Sequence, residues 1–534
     1  MKQLIKNILP AAGLILALGI SSCTKDLDVT PLDPNLSTEV SPEGLFNKCY
    51  ATIAMAGNGG GNGDCDIDGI DGGTSGYIRQ MWNANELPTD EAINGWGDDG
   101  IEQSCFNTYD ESHPMLNGYF ARLTTSITYC NQYLNIAADY DATMTAEVRF
   151  LRALHYYLLM DAFGRVPFAE NLSDPVIFSR EEIFKWIEKE LKEIEPNLSA
   201  PKAKKSTDTN YGRVDKAAAW LLLARLYLNA EVYTGTARWS DAATYAKKVM
   251  DSDYRLNTTS VNGWTAYQML FMGDNGESDA AYEGIFPILC DGLKTTSWGT
   301  TQFLCAGSFD SDMHANPNDL NGTNGLSGQV WGGNRARPTL IQKFFPNLDA
   351  PQVPAYEMIA AAGDDRAIFD GVGRELNNID RATFKNGYAV AKFINYKSDG
   401  TPGHDATFMD ADFFFFRTAE AYLTFAEATA RQGSGSATPE GIAAINALRA
   451  RAHATQRTGY SLNDILDEWS REFYFEGRRR MDLVRFGQFG GNVSYKWQWK
   501  GGTYAGRNFD AYRNIYAIPA SQLSTYNNEQ NPGY

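Results

Sequence analysis

The amino-acid sequence predicts a mainly α-helical protein, in which helical hairpins form a scaffold and one large insertion is irregular. Two observations indicate this fold class. Apolar residues recur at helical spacing, between recognisable helix caps, both before residue 257 and after residue 410. The segment between these regions is rich in Gly, Asn, Asp, Trp and Pro. Such a composition, with few helical stripes, is typical of turns and irregular structure.

The chain begins with the features of an export signal. Two lysines precede an apolar run from Ile8 to Ile20, which is too short to span a bilayer. Two serines and Cys23 follow, in a pattern that resembles the bacterial lipobox. We predict a lipoprotein signal peptide at residues 1–22, cleavage before Cys23, and acylation of that cysteine as a membrane anchor. The alternative is an ordinary secretory signal with an incidental cysteine.

The segments that follow the signal are predicted to be extended or looped. Residues 23–41 contain Pro and Asp and are predicted to form a tether. Residues 57–76 are rich in Gly, Asn and Asp and are predicted to form a loop. This loop begins a longer segment, 57–100, within an N-terminal helical region at 42–256. Functional residues tend to lie on such loops.

Helices dominate the N-terminal region from about residue 115. Leu151, Leu154 and Leu158 share one face of a helix that ends at Phe163-Gly164. The other predicted helices run from a capping box at Ser179 and Glu182 to Leu191, from Ala217 to Ala230, and from a cap at Ser240 to Met250. Pairs of helices joined by short loops, with alanines at the crossings, resemble tetratricopeptide hairpins, although no regular repeat is visible.

The loop-rich insertion spans residues 257–410, and a C-terminal helical region spans 411–534. The predicted C-terminal helices are Phe416–Arg431, one from Thr438-Pro439 to Ala452, and one capped by Ser461 with Asp464 that runs to about Phe475. The final segment, Asn514–Tyr534, is predicted to be extended.

Composition excludes several classes of partner. The formal net charge of −18 argues against nucleic acid, because phosphates require a basic surface. Five histidines without a His/Cys cluster argue against zinc. Six cysteines besides Cys23 allow many disulfide pairings, and the sequence does not choose among them.

Short motifs recur in order along nearly the whole chain. They are Ala146–Leu154, Phe163–Pro167, Arg417–Tyr422, Ala426–Ala428, Ile445–Ala452, Phe475–Gly487, Ile515–Pro519 and Asn531–Tyr534. Together they resemble the SusD/RagB family of outer-membrane nutrient-binding lipoproteins. Within the motif that begins at Phe475, Arg478 and Asp482 have i, i+4 spacing, and we interpret this motif as a structural charge network.

The resemblance implies a non-catalytic glycan-binding protein on the cell surface. Such a protein captures oligosaccharides and delivers them to a TonB-dependent, SusC-like transporter in the outer membrane. The charged residues Thr24–Asp28, directly after the lipid site, resemble the signal that sends Bacteroidetes lipoproteins to the outer face of that membrane. The family fold is helical and tetratricopeptide-like, with an irregular loop region that carries the ligand site.

A neutral glycan requires aromatic faces for its C–H surfaces and planar polar groups for its hydroxyls. Segment 57–100 offers both kinds. Its resemblance to the starch-binding member of the family implies a glycan site made of Asp71, Arg79 and Trp96. Asp99 is a weaker match, because the relative has an amide there.

The loop-rich insertion contributes two more aromatic residues to the predicted site. Trp298 matches an aromatic position of the starch-binding relative, and Trp331 is the second predicted stacking ring. An arc of rings suits a curved α-1,4-glucan, so the predicted ligands are α-glucan oligosaccharides. For each of these tryptophans the alternative is core packing. Trp82 and Trp264 are predicted to be core residues.

A structural calcium ion is a further expectation, and no catalytic cofactor is predicted. The predicted calcium ligands, implied in part by the resemblance, are Asp274, Glu277, Asp279, Asp410 and Asp412. Carboxylates are the oxygen donors that calcium prefers. The alternative is a solvated acidic turn.

Other functions stay open. A surface glycoside hydrolase needs two carboxylates about 5–9.5 Å apart across a cleft, and Glu86, Asp90 and Glu91 are nominal candidates. The chain could also bind a different glycan, or act as a scaffold that binds only proteins. Product formation from maltooligosaccharides would separate the hydrolase from the binding protein.

Overall fold

A computed structural model describes residues 40–63 and 65–534 of the chain. The chain divides after Leu45 into an N-terminal unit, described only at residues 40–45, and a body, Phe46–Tyr534. The signal peptide, Cys23 and the tether up to residue 39 lie outside the described residues. Among the described helices, none combines the length and the apolar character that a membrane span requires. The internal boundaries at residues 256 and 410 remain predictions.

Helices make up most of the regular structure, which confirms the mainly α-helical fold class. In chain order they are α1 Pro42–Ala54, α2 Gly72–Ser75, α3 Tyr77–Glu86, α4 Ile101–Cys105, α5 Pro114–Ala137, α6 Ala142–Phe163, α7 Arg180–Ile194, α8 Lys216–Leu228, α9 Ala230–Thr234, α10 Trp239–Met250, α11 Thr301–Ala306, α12 Pro338–Ile341, α13 Ala355–Ala362, α14 Ala419–Gln432, α15 Pro439–Arg451, α16 Leu462–Phe473, α17 Arg479–Arg485 and α18 Ala520–Tyr526.

Helices that follow one another in the chain pack side by side. Helix α5 packs on α6 and α6 on α7, and α10 packs against both α8 and α14. Helix α14 also packs against α15 and α16. This succession of hairpins is the tetratricopeptide-like scaffold that the sequence predicts.

Capping residues set most helix ends where the sequence predicts them. Ser179 with Glu182, and Ser461 with Asp464, form complete capping boxes at the starts of α7 and α16. Thr438 caps α15, with Pro439 in its first turn. Gly164 ends α6 at a φ of 73°, which favours glycine.

Three predicted boundaries are wrong. The helix predicted from Phe416 begins at Ala419, because Phe413–Arg417 form a strand. Ser240 does not cap α10, because the helix begins one residue earlier, at Trp239, and Ser240 lies inside it. The last segment is not wholly extended, because Ala520–Tyr526 forms helix α18 after Pro519. This short polar helix has no buried residues, so it shows no apolar stripe in the sequence.

Short strands and loops make up most of the insertion, as predicted. The strands of the molecule are β1 Ala92–Asn94, β2 Val166–Phe168, β3 Val176–Phe178, β4 Gly284–Ile288, β5 Asn334–Ala336, β6 Phe369–Asp370, β7 Ala389–Val390 and β8 Phe413–Arg417. Four of them form a sheet in the order β1-β5-β7-β6, in which every pair is antiparallel. Strand β1 comes from segment 57–100 and its three partners come from the insertion, so this sheet joins the two predicted halves of the site.

The basic motif that begins at Phe475 is a buried charge network, as predicted. Arg478 pairs with Asp482 at 3.0 Å, and Arg485 pairs with the same carboxylate at 2.8 Å. Glu476 pairs with Lys392 at 2.8 Å. Breaking such a pair leaves a buried charge uncompensated, so these residues specify the fold and are not a ligand site.

The six cysteines in the described part of the chain are free, and five of them are buried.

Candidate functional site

The pairing of β1 with β5 brings two predicted tryptophans together. Asn94, the last residue of β1, pairs with Asn334, the first of β5. The amide of Asn94 donates to Asn334 Oδ1 at 2.6 Å, and the register continues with a bond from Gly95 N to Gly333 O at 3.1 Å. Trp96 follows β1 and Trp331 precedes β5, so both rings lie at the same end of the strand pair.

Helix α11 adds the third tryptophan. Trp298 lies just before this helix, and the carbonyl of Ala306, at its end, accepts from Trp331 N at 2.7 Å. The carbonyl of Gly299 accepts from Arg79 N at 2.9 Å, which ties the start of α3 to the same loop. One short helix therefore positions residues that the sequence places more than 200 positions apart.

The three indole rings form a continuous arc. The ring centroids of Trp96 and Trp331 are 6.3 Å apart, and those of Trp331 and Trp298 are 5.9 Å apart. The planes are tilted by 52° and 49°, so the row is curved. Each ring is half-buried, which leaves apolar surface open to a ligand.

Every indole N–H of the arc is engaged by the protein itself. Trp96 Nε1 donates to Trp331 O at 3.3 Å, Trp298 Nε1 to Gly61 O at 2.7 Å, and Trp331 Nε1 to Gln329 Oε1 at 3.1 Å. These bonds fix the orientation of each ring. The surface left for a ligand is carbon only.

Arg79 lies beside this arc and forms no ion pair with any residue that the structure describes. Its guanidinium lies 5.5 Å from the ring centroid of Trp96 and 5.2 Å from that of Phe303. Its Nε is buried and has no hydrogen-bond partner in the described part of the chain. Burial lowers the pKa of Arg79, and the charges of Asp98 and Asp71 oppose this shift. A planar donor with unused N–H groups is suited to a ligand with paired oxygens.

Asp71 faces Arg79 across Gly73. A Cβ atom on Gly73 would lie 2.8 Å from Arg79 Nη1 and 3.0 Å from Asp71 Oδ1, so only glycine leaves both groups free of a clash. Asp71 caps α2, and its Oδ1 accepts from Gly73 N at 2.8 Å and Thr74 N at 3.0 Å. Burial raises the pKa of Asp71, but the bonds from Thr74 and Gly73 outweigh it and hold the pKa below its usual value. The Asp71 carboxylate is therefore ionised at neutral pH.

The structure does not bring Asp99 into this group. Its side chain is exposed, ahead of α4, and makes no recorded contact with the other predicted residues in the described part of the chain. The neighbouring Asp98 is the residue whose charge acts on Arg79. Trp82 and Trp264 are buried, as predicted.

Several residues of the site have no signal in the sequence. Phe408 continues the arc, with its centroid 4.6 Å from that of Trp298, and Phe303 lies beneath Trp96 at 5.9 Å. A cleft of about 150 Å³ opens beside Trp298, and its walls are mostly glycines of the 57–76 loop. A Cβ on Gly61 would lie 2.7 Å from Phe408 Cζ and 2.9 Å from Trp298 Nε1. The glycine richness of the loop is the only hint of this close approach.

The nominal hydrolase carboxylates lie in the core. Glu86, Asp90 and Glu91 are almost wholly buried. Asp90 accepts from Arg479 Nε at 2.7 Å and Nη2 at 2.8 Å. Glu86 accepts from Gly477 N at 2.7 Å. Because no cleft separates them, they do not have the geometry of a glycosidase pair.

The five predicted calcium ligands already have protein partners or stand apart. Asp279 pairs with Lys205 at 2.7 Å, and Asp274 Oδ2 accepts from Ser398 N at 3.0 Å. Asp410 accepts from the backbone N–H of Gly292, and Asp412 from that of Cys290, each at 2.8 Å. Glu277 lines one cleft together with these two aspartates.

In the described residues, no three His, Cys, Asp or Glu side chains converge on one point. N–H groups directed at the carboxylate oxygens also oppose a cation there. The calcium site therefore stays a prediction without a supporting geometry.

Comparisons with known proteins agree with the motifs. The SusD family matches residues 363–534 of the chain. The starch-binding protein SusD of Bacteroides thetaiotaomicron is 40% identical, over 99% of this chain and 99% of that protein.

Solved structures share the fold. Surface glycan-binding protein A from Bacteroides uniformis superposes with a TM-score of 0.65 at 20% identity, covering 92% of this chain and 98% of that one. Surface glycan-binding protein A from Bacteroides thetaiotaomicron, in complex with laminarihexaose, superposes with a TM-score of 0.64 at 17% identity, with the same coverage. At these identities the similarity establishes the fold alone.

Proposed function

Because the chain belongs to the SusD family, we propose that it is a non-catalytic protein of the cell surface that binds a neutral glycan. The observation that carries the proposal is the arc of Trp96, Trp331 and Trp298 beside Arg79, whose guanidinium has no partner among the described residues. Carbon faces and a planar donor are the two kinds of group that a sugar ring requires.

We propose an α-glucan of the starch type as the ligand. The tilt between successive rings supports a curved chain, and a protein named for starch binding is 40% identical over nearly the full length. The structure of surface glycan-binding protein A in complex with laminarihexaose makes a different glucan the second candidate ligand.

The glycan is then delivered to a SusC-like TonB-dependent transporter in the outer membrane. A lipid anchor at Cys23, which lies outside the described residues, would hold the protein at that membrane. The family membership and the lipobox-like residues before Cys23 support this part of the proposal.

Calorimetry against a glycan panel tests the proposed function. The soluble chain is titrated with linear and cyclic α-glucan oligosaccharides and with laminarihexaose. We expect binding of α-glucans, and a loss of about 1–3 kcal/mol, or roughly 5–150-fold in affinity, for Trp96→Ala, because one stacking ring is removed.

Trp239→Ala is the control, because Trp239 is also half-buried but lies at the start of α10. Unchanged affinity in Trp96→Ala would refute the site. Release of new reducing ends from the glycan would refute the non-catalytic function.

A further inference from the structure

A second cleft, of about 400 Å³, opens elsewhere in the insertion. Its walls are residues 262–265 with Gln268, residues 316–318, the turn at 399–400 and one face of α13. It shares no lining residue with the arc or its glycine cleft. Its size lies within the range of about 300–1,000 Å³ that is typical of small-ligand sites.

A tight hairpin turn builds one wall. Val261 and Trp264 exchange both backbone hydrogen bonds, at 3.1 and 2.8 Å, around Asn262 and Gly263. These two residues have φ values of 51° and 90°. Positive φ at both positions is the type I′ turn that Asn-Gly favours. The turn places Trp264 in the wall of the cleft.

Two buried side chains of this wall have donors without partners in the described part of the chain. Trp264 is 6% exposed, and its Nε1 makes no hydrogen bond there. Gln268 is 9% exposed, and its Oε1 accepts from Thr265 N at 3.0 Å, but its Nε2 has no acceptor. Both nitrogens are open to solvent in the cleft, so each is available to donate to a ligand that accepts hydrogen bonds.

Amides and one tyrosine form the opposite side. Asn316 Nδ2 donates to Gly400 O at 3.0 Å and holds the 399–400 turn in place. Tyr356, on α13, is half-buried and its hydroxyl is unpaired among the described residues. Asn318 is exposed at the rim, and Asp399 is the only charged residue in the lining.

We propose that this cleft is a second carbohydrate-binding site, which takes one or two hexose units of a neutral saccharide. The ring of Tyr356 and the edge of Trp264 suit a sugar, and the amides suit its hydroxyls. With no Lys or Arg in the lining the cleft does not suit an anion, and a single carboxylate does not suit a metal. The site extends the proposed function, on which it rests only for the chemical class of its ligand.

One loop connects the two sites. A Cβ atom on Gly307 would lie 3.3 Å from Trp96 Cη2, so the loop starts beside that ring. Residues 316–318 line the second cleft, and Trp331 returns the chain to the arc. A long glycan held at the arc therefore has a second contact point on the same loop.

The test uses the full soluble chain with the arc disabled. Trp96→Ala with Trp331→Ala removes two stacking rings, and saturation-transfer NMR and calorimetry then measure binding of maltose and maltohexaose. We expect residual binding with a dissociation constant on the order of 1 mM. Adding Gln268→Ala and Tyr356→Ala to that variant is expected to remove this residual binding.

Asn318→Ala, at an exposed position, is a second cleft variant that is not expected to disturb folding, and it should weaken the residual binding at least about threefold. Thermal unfolding confirms that each variant is folded. No residual binding in the arc variant, or residual binding that no cleft variant changes, would overturn the second site while leaving the proposed function intact. Full-strength binding in the arc variant that the cleft variants abolish would support the second site and refute the arc.

Discussion

Gly61 is a residue whose missing side chain shapes the proposed site. Its carbonyl accepts from the Trp298 indole at 2.7 Å, and a Cβ atom on it would lie 2.9 Å from Trp298 Nε1 and 2.7 Å from Phe408 Cζ. In Gly61→Ala the new methyl group would displace the Trp298 ring. We expect a loss of glycan affinity of about tenfold, because overpacking costs about 1–3 kcal/mol and is relieved by moving the ring away from its stacking position.

Gly97→Ala is the matched control, since a Cβ there meets no atom within 4 Å. Calorimetry of both variants with maltohexaose checks the prediction. Equal affinities in the two variants would show that the position of Trp298 does not matter for binding.

Glu86 and Glu91 form a buried pair of carboxyl groups between the elements that carry Arg79 and Trp96. Glu91 Oε1 accepts from Ser470 Oγ at 2.6 Å. The second oxygen of each glutamate lacks a donor from any other described residue. Burial, and then the charge of Glu91, raise the pKa of Glu86 well above its usual value, and burial raises the pKa of Glu91 to about 7. A proton shared between the two carboxyl groups gives a hydrogen bond to both of these oxygens.

This pair predicts a pH-dependent stability. The folded chain keeps a proton that the unfolded chain loses near pH 4.5, so the free energy of unfolding falls as the pH rises from about 4.5 to about 7. Glu91→Gln cannot lose that proton. Relative to the native chain, we expect it to gain about 1–3 kcal/mol between pH 5 and pH 8.

Urea unfolding at the two pH values measures the effect. Glu181→Gln, at an exposed position on α7, is the control and should follow the native chain. If Glu91→Gln also follows the native chain, the pair does not share a proton.

At the scale of elements, Arg337 holds the site together just after β5. Its guanidinium donates to the carbonyls of Ala92 at 2.8 Å, Leu87 at 3.2 Å and Cys105 at 2.9 Å, and also to Gln498 O. These acceptors belong to β1, the end of α3, α4 and a C-terminal loop. The residue thus joins four segments through backbone atoms.

Arg337→Met should leave these carbonyls buried without donors. Because each such loss costs about 1–3 kcal/mol, we expect the free energy of unfolding in urea to fall by at least about 3 kcal/mol. Arg165→Met, which removes an exposed pair with Glu529, should cost about 1 kcal/mol or less. A fall in the free energy of unfolding of less than about 1 kcal/mol in Arg337→Met would show that Arg337 does not hold these four segments together.

The sequence predicts helices well where local chemistry sets their ends. The capping boxes at Ser179 and Ser461 and the glycine at 164 all lie at observed boundaries. It does not predict the short strands, because pairs such as Asn94 and Asn334 are 240 positions apart and only tertiary contacts select them. Phe408 joins the arc for the same reason, without a local signal.

At the scale of the whole molecule, the predicted site residues came from resemblance and not from periodicity. The structure brings Asp71, Arg79, Trp96, Trp298 and Trp331 together and leaves Asp99 apart. A chain that resembles a relative over its full length has its strand ends and loops at matching positions. The resemblance therefore locates aromatic rings that lie together in the folded chain. It does not resolve which of two adjacent aspartates faces Arg79.

The anchor is the prediction that concerns the whole protein. With Cys23→Ala, acylation at that position is impossible, and we expect the chain to move from the membrane fraction to the soluble fraction of cells. Immunoblotting of the fractions measures this change. Cys65→Ala serves as the control, since Cys65 lies in the loop region of the body. Retention of Cys23→Ala at the membrane would refute the lipid site.

The three indole N–H groups of the arc have a consequence for how binding preference can change over time. Because the protein uses all three itself, the rings of the proposed site offer a sugar only carbon faces, which do not distinguish one hydroxyl pattern from another. In the proposed site, stacking on the sugar and discrimination between glycans therefore depend on different residues. Substitutions at Arg79 and its neighbours, whether in evolution or by design, would then change which glycan is preferred while the stacking surface of the three rings stays the same.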